Sequence, residues 1–195
     1  MSSGVANIIL GLVGPLASGK GTVAAYLKKK YDAEIFRFST PLRDALDRFY
    51  IPQTRKNMQN ISLALRQQFG DDLLASVITS DVKKSSSQIK VVDGIRRDPD
   101  IKYLKKLPEF YLISVTTGQK TRWQRMTKRG ENTDDIKKTF AQFKIDEQAE
   151  AEKHIKKVAG SADFIINNNG DFKELYKQVD NILRKINKKK VGIKN

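Results

Sequence analysis

The 195-residue chain contains no cysteine, which excludes disulfides, zinc–thiolate sites and cysteine nucleophiles. Histidine occurs once, as His154 in a run of Lys and Glu, a setting that reads as a solvated helix face and not as a metal ligand or a base. Long apolar runs are missing too. The first, Ile8–Val13, is much too short to span a bilayer, and Met1–Asn7 lacks the basic n-region of a signal peptide. A cytoplasmic protein without a membrane partner is therefore expected. Negative charge is scarce: 22 Asp and Glu face 37 Lys and Arg, for a formal net charge of +15. That balance asks for anionic partners, whether nucleotides, nucleic acid or an acidic surface. The runs Lys28–Lys30 and Lys188–Lys190 also sit at predicted helix ends, where cations suit the macrodipole. Charge alone leaves nucleic acid open as a partner without favouring it.

What is present is a rhythm. Apolar runs alternate with amphipathic stretches from end to end, as in a parallel sheet covered by helices, an α/β fold. Val5–Val13, Glu34–Phe38, Gln88–Asp93, Glu109–Val115 and Asp163–Asn167 read as five strands. Three of them (IILGLV, IKVVD, DFIIN) are continuous apolar runs of the kind buried on both faces. Helices are predicted at about Gly21–Lys30, Pro41–Phe49, Thr54–Phe69, Asp71–Lys83, Asp98–Lys105, Gln119–Arg129, Asp134–Val158 and Asp171–Lys188. Thr40 followed by Pro41 marks a helix start, with the threonine as cap and the proline in the first turn. One domain over 1–195 is expected. Two excursions interrupt it: 40–84 puts three helices between the second and third strands, and Gly130–Asp135 (GENTDD) breaks the last crossover. Both read as mobile covers over a sheet edge. The second belongs to a lid at about 122–135, and the basic tail 188–195 is expected to fray.

The strongest signal is GPLASGKGT, Gly14 to Thr22, between the first strand and the first helix. It satisfies G-x-x-x-x-G-K in the strand–loop–helix context that a phosphate loop needs. Backbone N–H groups along Gly14, Ala17, Ser18, Gly19 and Gly21 are expected to point at a phosphate, and the helix aims its positive end at the same place. Lys20 adds a point charge for the β- and γ-phosphates. The hydroxyl that commonly follows the lysine is replaced by Gly21 and comes one place later, at Thr22. This GKGT form resembles adenylate kinases and related nucleoside monophosphate kinases more than GTPases or AAA-type ATPases. The resemblance implies ATP and Mg²⁺ as cofactors, with the metal held largely through water and an acidic strand end. For Thr22 it implies contact with an α-phosphate in preference to direct metal ligation.

The third strand ends in VVDGIRR, and Asp93 stands where a Walker-B carboxylate orients the Mg²⁺ hydration shell. Gly94 follows, where AAA and ABC hydrolases usually carry a water-activating Glu. There is no N-K-x-D box and no LSGGQ-like signature, so the sequence favours transfer over hydrolysis. DGIRR resembles the DGFPR run of adenylate kinases, whose arginine grips the acceptor's phosphate; either Arg96 or Arg97 takes that part. RFSTPLRDAL resembles the start of the monophosphate-binding helices. It implies Ser39, Thr40 and Arg43 as acceptor contacts, the two hydroxyls serving otherwise as a helix cap. LALRQQFGDDLLA is similar to deoxynucleotide kinases and a group of archaeal kinase-like proteins. Arg66 is there a further phosphate candidate, or else an exposed helix arginine.

Arg122, Arg125 and Arg129 precede the polar break in TRWQRMTKRGE, the last two sharing one helix face. The R-x-x-x-R pattern resembles the lid arginines of nucleoside monophosphate kinases, one stacking on adenine and the other reaching the transferring phosphoryl. Trp123 reads as core packing. ADFIINNNGDFKELYKQVDNIL has the strand, Asn-Gly loop and final helix of deoxynucleotide and dephospho-CoA kinases, which places Asn167–Gly170, with Asn169, beside the adenine. The resemblance to this P-loop kinase superfamily covers nearly the whole chain and implies a five-stranded parallel sheet in the order 2-3-1-4-5. It implies ATP-dependent phosphorylation of a nucleoside or deoxynucleoside monophosphate. Lys20 and the loop hold the ATP phosphates, Asp93 organises Mg²⁺, Arg43 with Arg96 or Arg97 positions the acceptor, and Arg125 and Arg129 close over the transfer. An acceptor phosphate is already ionised, so no general base is needed. Two rivals remain. A dephospho-CoA kinase would benefit from a carboxylate at the end of strand two, where Arg37–Thr40 has none. An adenylate-kinase-like ATPase acting on RNA or ribosomal partners would use the basic surface for docking.

Overall fold

The apolar run Ile8–Val13 forms strand β1, buried along its whole length. Four further strands, β2 (Glu34–Arg37), β3 (Ile89–Ile95), β4 (Phe110–Thr116) and β5 (Phe164–Asn167), lie parallel to their neighbours in the order β2-β3-β1-β4-β5. The computed structural model describes residues 7–129, 136–147 and 150–191. Its sheet is the parallel α/β sheet that was expected, in the expected order. The helices are α1 (Lys20–Tyr31), α2 (Thr40–Arg48), α3 (Arg55–Phe69), α4 (Leu73–Lys84), α5 (Gln119–Arg129), α6 (Phe140–Asp146), α7 (Glu150–Ala159) and α8 (Phe172–Val191).

Strand side chains alternate between two faces, which explains why both layers are apolar. Leu10 and Leu12 join Val91, Ile113 and Val115 against α1 and α8. Ile9 and Val13 join Val92 and Leu112 against α4 and α7. The first layer is pinned where the Tyr26 ring stacks on Tyr176, centroids 3.9 Å apart. Tyr26, Tyr31 and Lys30 each donate to Asp180 at 2.8 Å. Desolvation opposes the Asp180 charge, but these bonds outweigh it and hold the carboxyl below the usual range.

The end of β3 carries an irregularity that matters for the site. Leu12 pairs with Asp93, but Val13 pairs with Ile95, so one residue is extra. That residue is Gly94, at φ 96°, a conformation that side-chain-bearing residues avoid. The bulge keeps Ile95 on the α4 face with Val13. Asp93, in step with Val91, stays on the α1 face.

Several expectations change. The helix expected over Asp98–Lys105 is two 3-10 turns, Asp98–Ile101 and Leu104–Lys106. Here Asp100 turns inward and draws the chain back onto the end of β3. The helix expected over Asp134–Val158 is divided into α6 and α7. Thr139 starts α6 with a reciprocal capping box to Gln142, which a helix running through from upstream could not form. α2 begins at Thr40 itself; Ser39 precedes it and makes no capping bond. β1 begins at Ile8, and Val5 lies outside the described residues. Within the first excursion α4 is a core helix and not a cover, since Leu74, Ala75, Ile78 and Val82 are buried. None of the described side chains of α3 is fully buried. α8 continues to Val191 where fraying from Lys188 was expected. The Gly130–Asp135 break and residues 192–195 lie outside the described residues. No helix among those described is long and apolar enough to cross a membrane.

Candidate functional site

The turn from β1 into α1 is wound tightly. Gly19 enters the helix at φ 103°, and a side chain there would run into the Asn168 amide. Ala17 also adopts a left-handed conformation, at φ 57°. Lys20 Nζ donates to the Gly14 carbonyl at 2.6 Å and to that of Pro15 at 3.0 Å, so the ammonium lies against the loop it follows. Ser18 is wholly buried and its Oγ lacks a hydrogen-bond partner. The first N–H groups of α1 have no intrahelical acceptor. A Cβ on Gly21 would meet nothing within 4 Å, so this helix end opens on space and not on packed protein. Such a helix end, a lysine on the loop and an unpartnered buried hydroxyl together fit a polyphosphate.

The back of the loop is braced by residues distant in sequence. Asn168, buried, donates to the Ser18 carbonyl at 2.8 Å, and Thr117 Oγ1 donates to the same oxygen at 2.9 Å. Arg122 is 7% exposed. Its Nε donates to the Thr117 carbonyl at 3.0 Å and its NH1 to that of Leu16 at 3.4 Å. It also pairs with Glu147 and lies 5.5 Å from the centre of the Phe143 ring. Gln119 Nε2 donates to the other Glu147 oxygen at 2.6 Å. Arg122 was expected in the lid; it stands on the buried face of α5 and holds the phosphate loop instead.

Of the remaining lid residues, Arg125 is half-buried and makes no hydrogen bond or ion pair with a described residue, and Arg129 is exposed at the end of α5. Trp123 is half-buried against Phe140, with ring centroids 5.5 Å apart, and its Nε1 donates to the Lys138 carbonyl at 2.8 Å. Asn169 Oδ1 accepts from the Gly118 N–H at 2.8 Å, fastening its loop to the start of α5. The loop in front of the helix, Lys20, Arg122 and the Asn168–Asn169 turn therefore form one cluster.

A second cluster lies beyond β3. Asp100, 2% exposed, accepts the backbone N–H groups of Arg96 and Arg97 on Oδ2 at 2.9 and 3.0 Å. Burial pushes its carboxyl above the usual range despite these bonds. Arg66 NH1 lies 3.7 Å from Asp100 Oδ1. Arg66 also donates to Ser62 Oγ and the Asp71 carbonyl, both at 3.2 Å, which ties α3 to the turn after β3. Arg97 NH1 is 3.7 Å from Asp71 Oδ1, whereas Arg96 is exposed and its side chain makes no hydrogen bond or ion pair with a described residue. Asp93 stands beside the end of β1, with Arg37 Nε 3.9 Å from its Oδ2. Ser39 is half-buried, Thr40 is exposed, and Arg43 donates to Gln53 Oε1 at 2.6 Å. Among the described residues no group of three or more His, Cys, Asp and Glu side chains could hold a metal ion.

Sequence reading missed Asp100, Asn168, Thr117 and Glu147. The NNNG run pointed to the right loop but to Asn169 instead of its buried neighbour. Asp100 has no local signature.

A family model described as the AAA domain matches residues 10–154. The chain belongs to the AAA domain family. Among relatives of this AAA-domain chain, the UPF0200 protein of Pyrococcus abyssi is 28% identical over 184 residues, covering 92% of this chain and 97% of its own. Among solved structures, a gluconokinase from Sinorhizobium meliloti superimposes with a TM-score of 0.63 at 11% identity, over 97% of this chain and 98% of its own. Deoxyadenosine kinase from M. mycoides with bound dCTP gives 0.52 at 17% identity, over 93% and 100%. At such identities the structures establish the fold, and it is that of the P-loop kinase-like superfamily to which the sequence motifs pointed.

Proposed function

We propose that the chain is an ATP-dependent kinase that hands the γ-phosphoryl group to a nucleoside or deoxynucleoside monophosphate. The observation that carries this reading is the charge at the carboxyl ends of β2 and β3. Arg37 ends β2 beside Asp93, Arg43 and Arg96 lie on the segments that follow, and no carboxylate ends β2. An acceptor hydroxyl would call for a carboxylate base at that point. Arginines suit an acceptor that brings its own ionised oxygens. The backbone at Gly94 supports transfer over hydrolysis. A water-activating glutamate after Asp93 would have to adopt φ near 96°, where a side chain is strained.

In this reading the loop and Lys20 hold the ATP phosphates, and Thr22 contacts an α-phosphate. Asp93 alone cannot enclose a metal, so it would orient the water shell of an Mg²⁺ that arrives with ATP. When bound, that ion neutralises charge on the phosphoryl oxygens. Arg96 with Arg43 holds the acceptor phosphate. Arg125 and Arg129 come from α5, whose first turns are already fastened to the loop.

A coupled assay of ADP release tests the proposal across ribo- and deoxyribonucleoside monophosphates, dephospho-CoA and RNA, with an acceptor-free control. Turnover with one or a few monophosphates is expected, with a product one phosphoryl group heavier by mass spectrometry. Lys20→Ala should lower it about 10²–10³-fold, the scale of a lost charge-stabilising donor, while the protein stays folded and melts only slightly lower, because the loop loses two donated bonds. ADP release that ignores the acceptor, or that responds only to dephospho-CoA, would replace this reading with one of its rivals.

A further inference from the structure

Every strand of the sheet points the same way, so the phosphate loop, at the carboxyl end of β1, marks one edge of the sheet and the helix C-termini gather at the other. α1 leads directly into β2, and α4 ends where Ser85 bonds Glu34 at the start of β2. α8 runs alongside α1 in the same direction, with Tyr26 against Tyr176 and Tyr31 against Asp180. It continues past that contact to Val191, and its Ile182, Leu183 and Ile186 pack with Ile8, Ala33 and Ile89 at the amino ends of the strands. Three helices therefore deliver their last turns to one edge, remote from the nucleotide site.

Those last turns are rich in lysine. Lys28 and Lys29 on α1, Lys83 and Lys84 on α4, and Lys188 and Lys189 on α8 are all exposed. None of the six makes a hydrogen bond or ion pair with a described residue. Other lysines are paired, Lys102 with Asp72 and Lys157 with Asp98, and so is Lys30 in the last turn of α1, with Asp180. A cation in a last turn needs no partner, because the helix dipole favours it. Six uncompensated ammonium groups on one edge nevertheless build a positive field, and the carboxylates nearest to them in sequence (Asp32, Glu34 and Asp81) are fewer. None of the exposed large hydrophobic side chains among the described residues lies on these last turns. Among the described residues these last turns thus offer no exposed apolar wedge for a membrane, and their ring, Tyr31, is half-buried against Tyr26 and Asp180 and poorly placed to stack on unpaired bases. What it offers is charge, on the rigid ends of helices.

We propose that this edge is a docking face for a nucleic-acid duplex, held through its phosphates without reading sequence. The chain's net charge of +15 belongs with such a partner. Because the face lies opposite the phosphate loop, a docked duplex leaves the nucleotide site open. This reading is independent of the acceptor proposed above.

Fluorescence anisotropy with a labelled RNA duplex of about twenty base pairs tests it, without ATP. If about five phosphates are neutralised, affinity should fall roughly 500-fold between 50 and 200 mM salt. A DNA duplex should bind within about threefold of the RNA, because the contacts are to phosphate. Replacing Lys28, Lys29, Lys188 and Lys189 together by Gln should weaken binding more than about tenfold and flatten the salt slope by about three units. The comparison variant replaces Lys56, Lys120, Lys173 and Lys177 by Gln. It removes the same charge from other faces and should change affinity less than about threefold. Thermal melts establish that both variants fold. Equal losses from the two sets, a salt-insensitive complex, or tighter binding to single strands or to phosphatidylserine vesicles would each overturn the proposal.

Discussion

Replacing Arg122 by methionine isolates what its guanidinium contributes, since the aliphatic stem is conserved in length. The group is buried, and Glu147, its partner, keeps only 13% of its side chain exposed. The change removes donors to the Thr117 and Leu16 carbonyls and strands the Glu147 charge. Breaking a buried pair by removing one partner costs about 3–5 kcal/mol. Residual exposure of Glu147, and its remaining bond from Gln119, argue for the lower end, about 3 kcal/mol. In a chain of this length each kcal/mol moves the melting temperature by about 2–4 °C, so a fall of about 6–12 °C is expected. Glu147→Gln keeps an acceptor, and Arg122 keeps its two carbonyls, but the buried guanidinium loses its counter-charge, so about 2 kcal/mol is expected. In the double variant no charge is left stranded, so its loss should be smaller than the sum of the singles by about 1–2 kcal/mol. Scanning calorimetry of the four proteins decides. A methionine variant melting within about 2 °C of the parent, or strict additivity, would show that Arg122 does not brace the loop as described.

Arg96 and Arg97 should divide: Arg96→Ala is expected to raise the acceptor KM by about ten- to a hundredfold, the equivalent of a charge-assisted hydrogen bond. Arg97→Ala loses only a pair with the 69%-exposed Asp71, worth under about 1 kcal/mol; a KM that follows Arg97 and ignores Arg96 would reverse the assignment. Gly21→Ser places a side chain where nothing lies within 4 Å. It should stabilise α1 by about 0.5 kcal/mol and lower the Mg²⁺ concentration for half-maximal turnover; a destabilised variant would mean that the space is not open. Burial holds the Asp100 carboxyl above its usual range, so the folded chain binds that proton more tightly than the unfolded chain. Its contribution to stability is therefore present below about pH 4, the unfolded value, and is lost as pH rises through the folded one. Asp100→Asn should flatten the wild-type decline in melting temperature over that window, and parallel curves would count against the assignment.

The phosphate loop was legible because its parts are contiguous: an apolar strand, glycines, a lysine and a helix within Ile8–Tyr31. The sheet order was legible through resemblance, and the alternation of apolar and amphipathic segments already required its parallel class. What escaped reading is the bracing. Asn168 reaches Ser18 across 150 residues and Thr117 reaches it across 99. No periodicity links such partners, because they meet only after β1, β4 and β5 are side by side. Arg122 was misplaced for a related reason. An arginine in a basic helix reads as exposed until α6 supplies Glu147 and Phe143 to bury it. Asp98–Lys105 was misread as a helix because its composition allows one. The tertiary demand of Asp100 for the Arg96 and Arg97 N–H groups outweighs that propensity.

The bracing also limits how a lid could close. The start of α5 is fastened by the Gly118–Asn169 bond and by Arg122, and Met126, one turn further on, is 1% exposed in the core. Closure must then bend the chain beyond Met126, or else drag the Leu16 carbonyl and the phosphate loop with it. Arg125 stands on the fixed part and Arg129 at its end, three residues past Met126. On the proposed kinase reading, Arg125 is already in place before ATP arrives, and its contacts are made in the ground state. Arg125→Ala should therefore weaken ATP binding with a proportionate change in kcat/KM. On the same reading Arg129 travels with the closing lid, so its contacts strengthen as charge develops on the phosphoryl oxygens. Arg129→Ala should lower kcat by about 10²–10³-fold with little change in either KM. Steady-state kinetics with calorimetric ATP titrations separate the two. If Arg125→Ala spares ATP binding while lowering kcat, α5 moves as a body, and the phosphate loop moves with it.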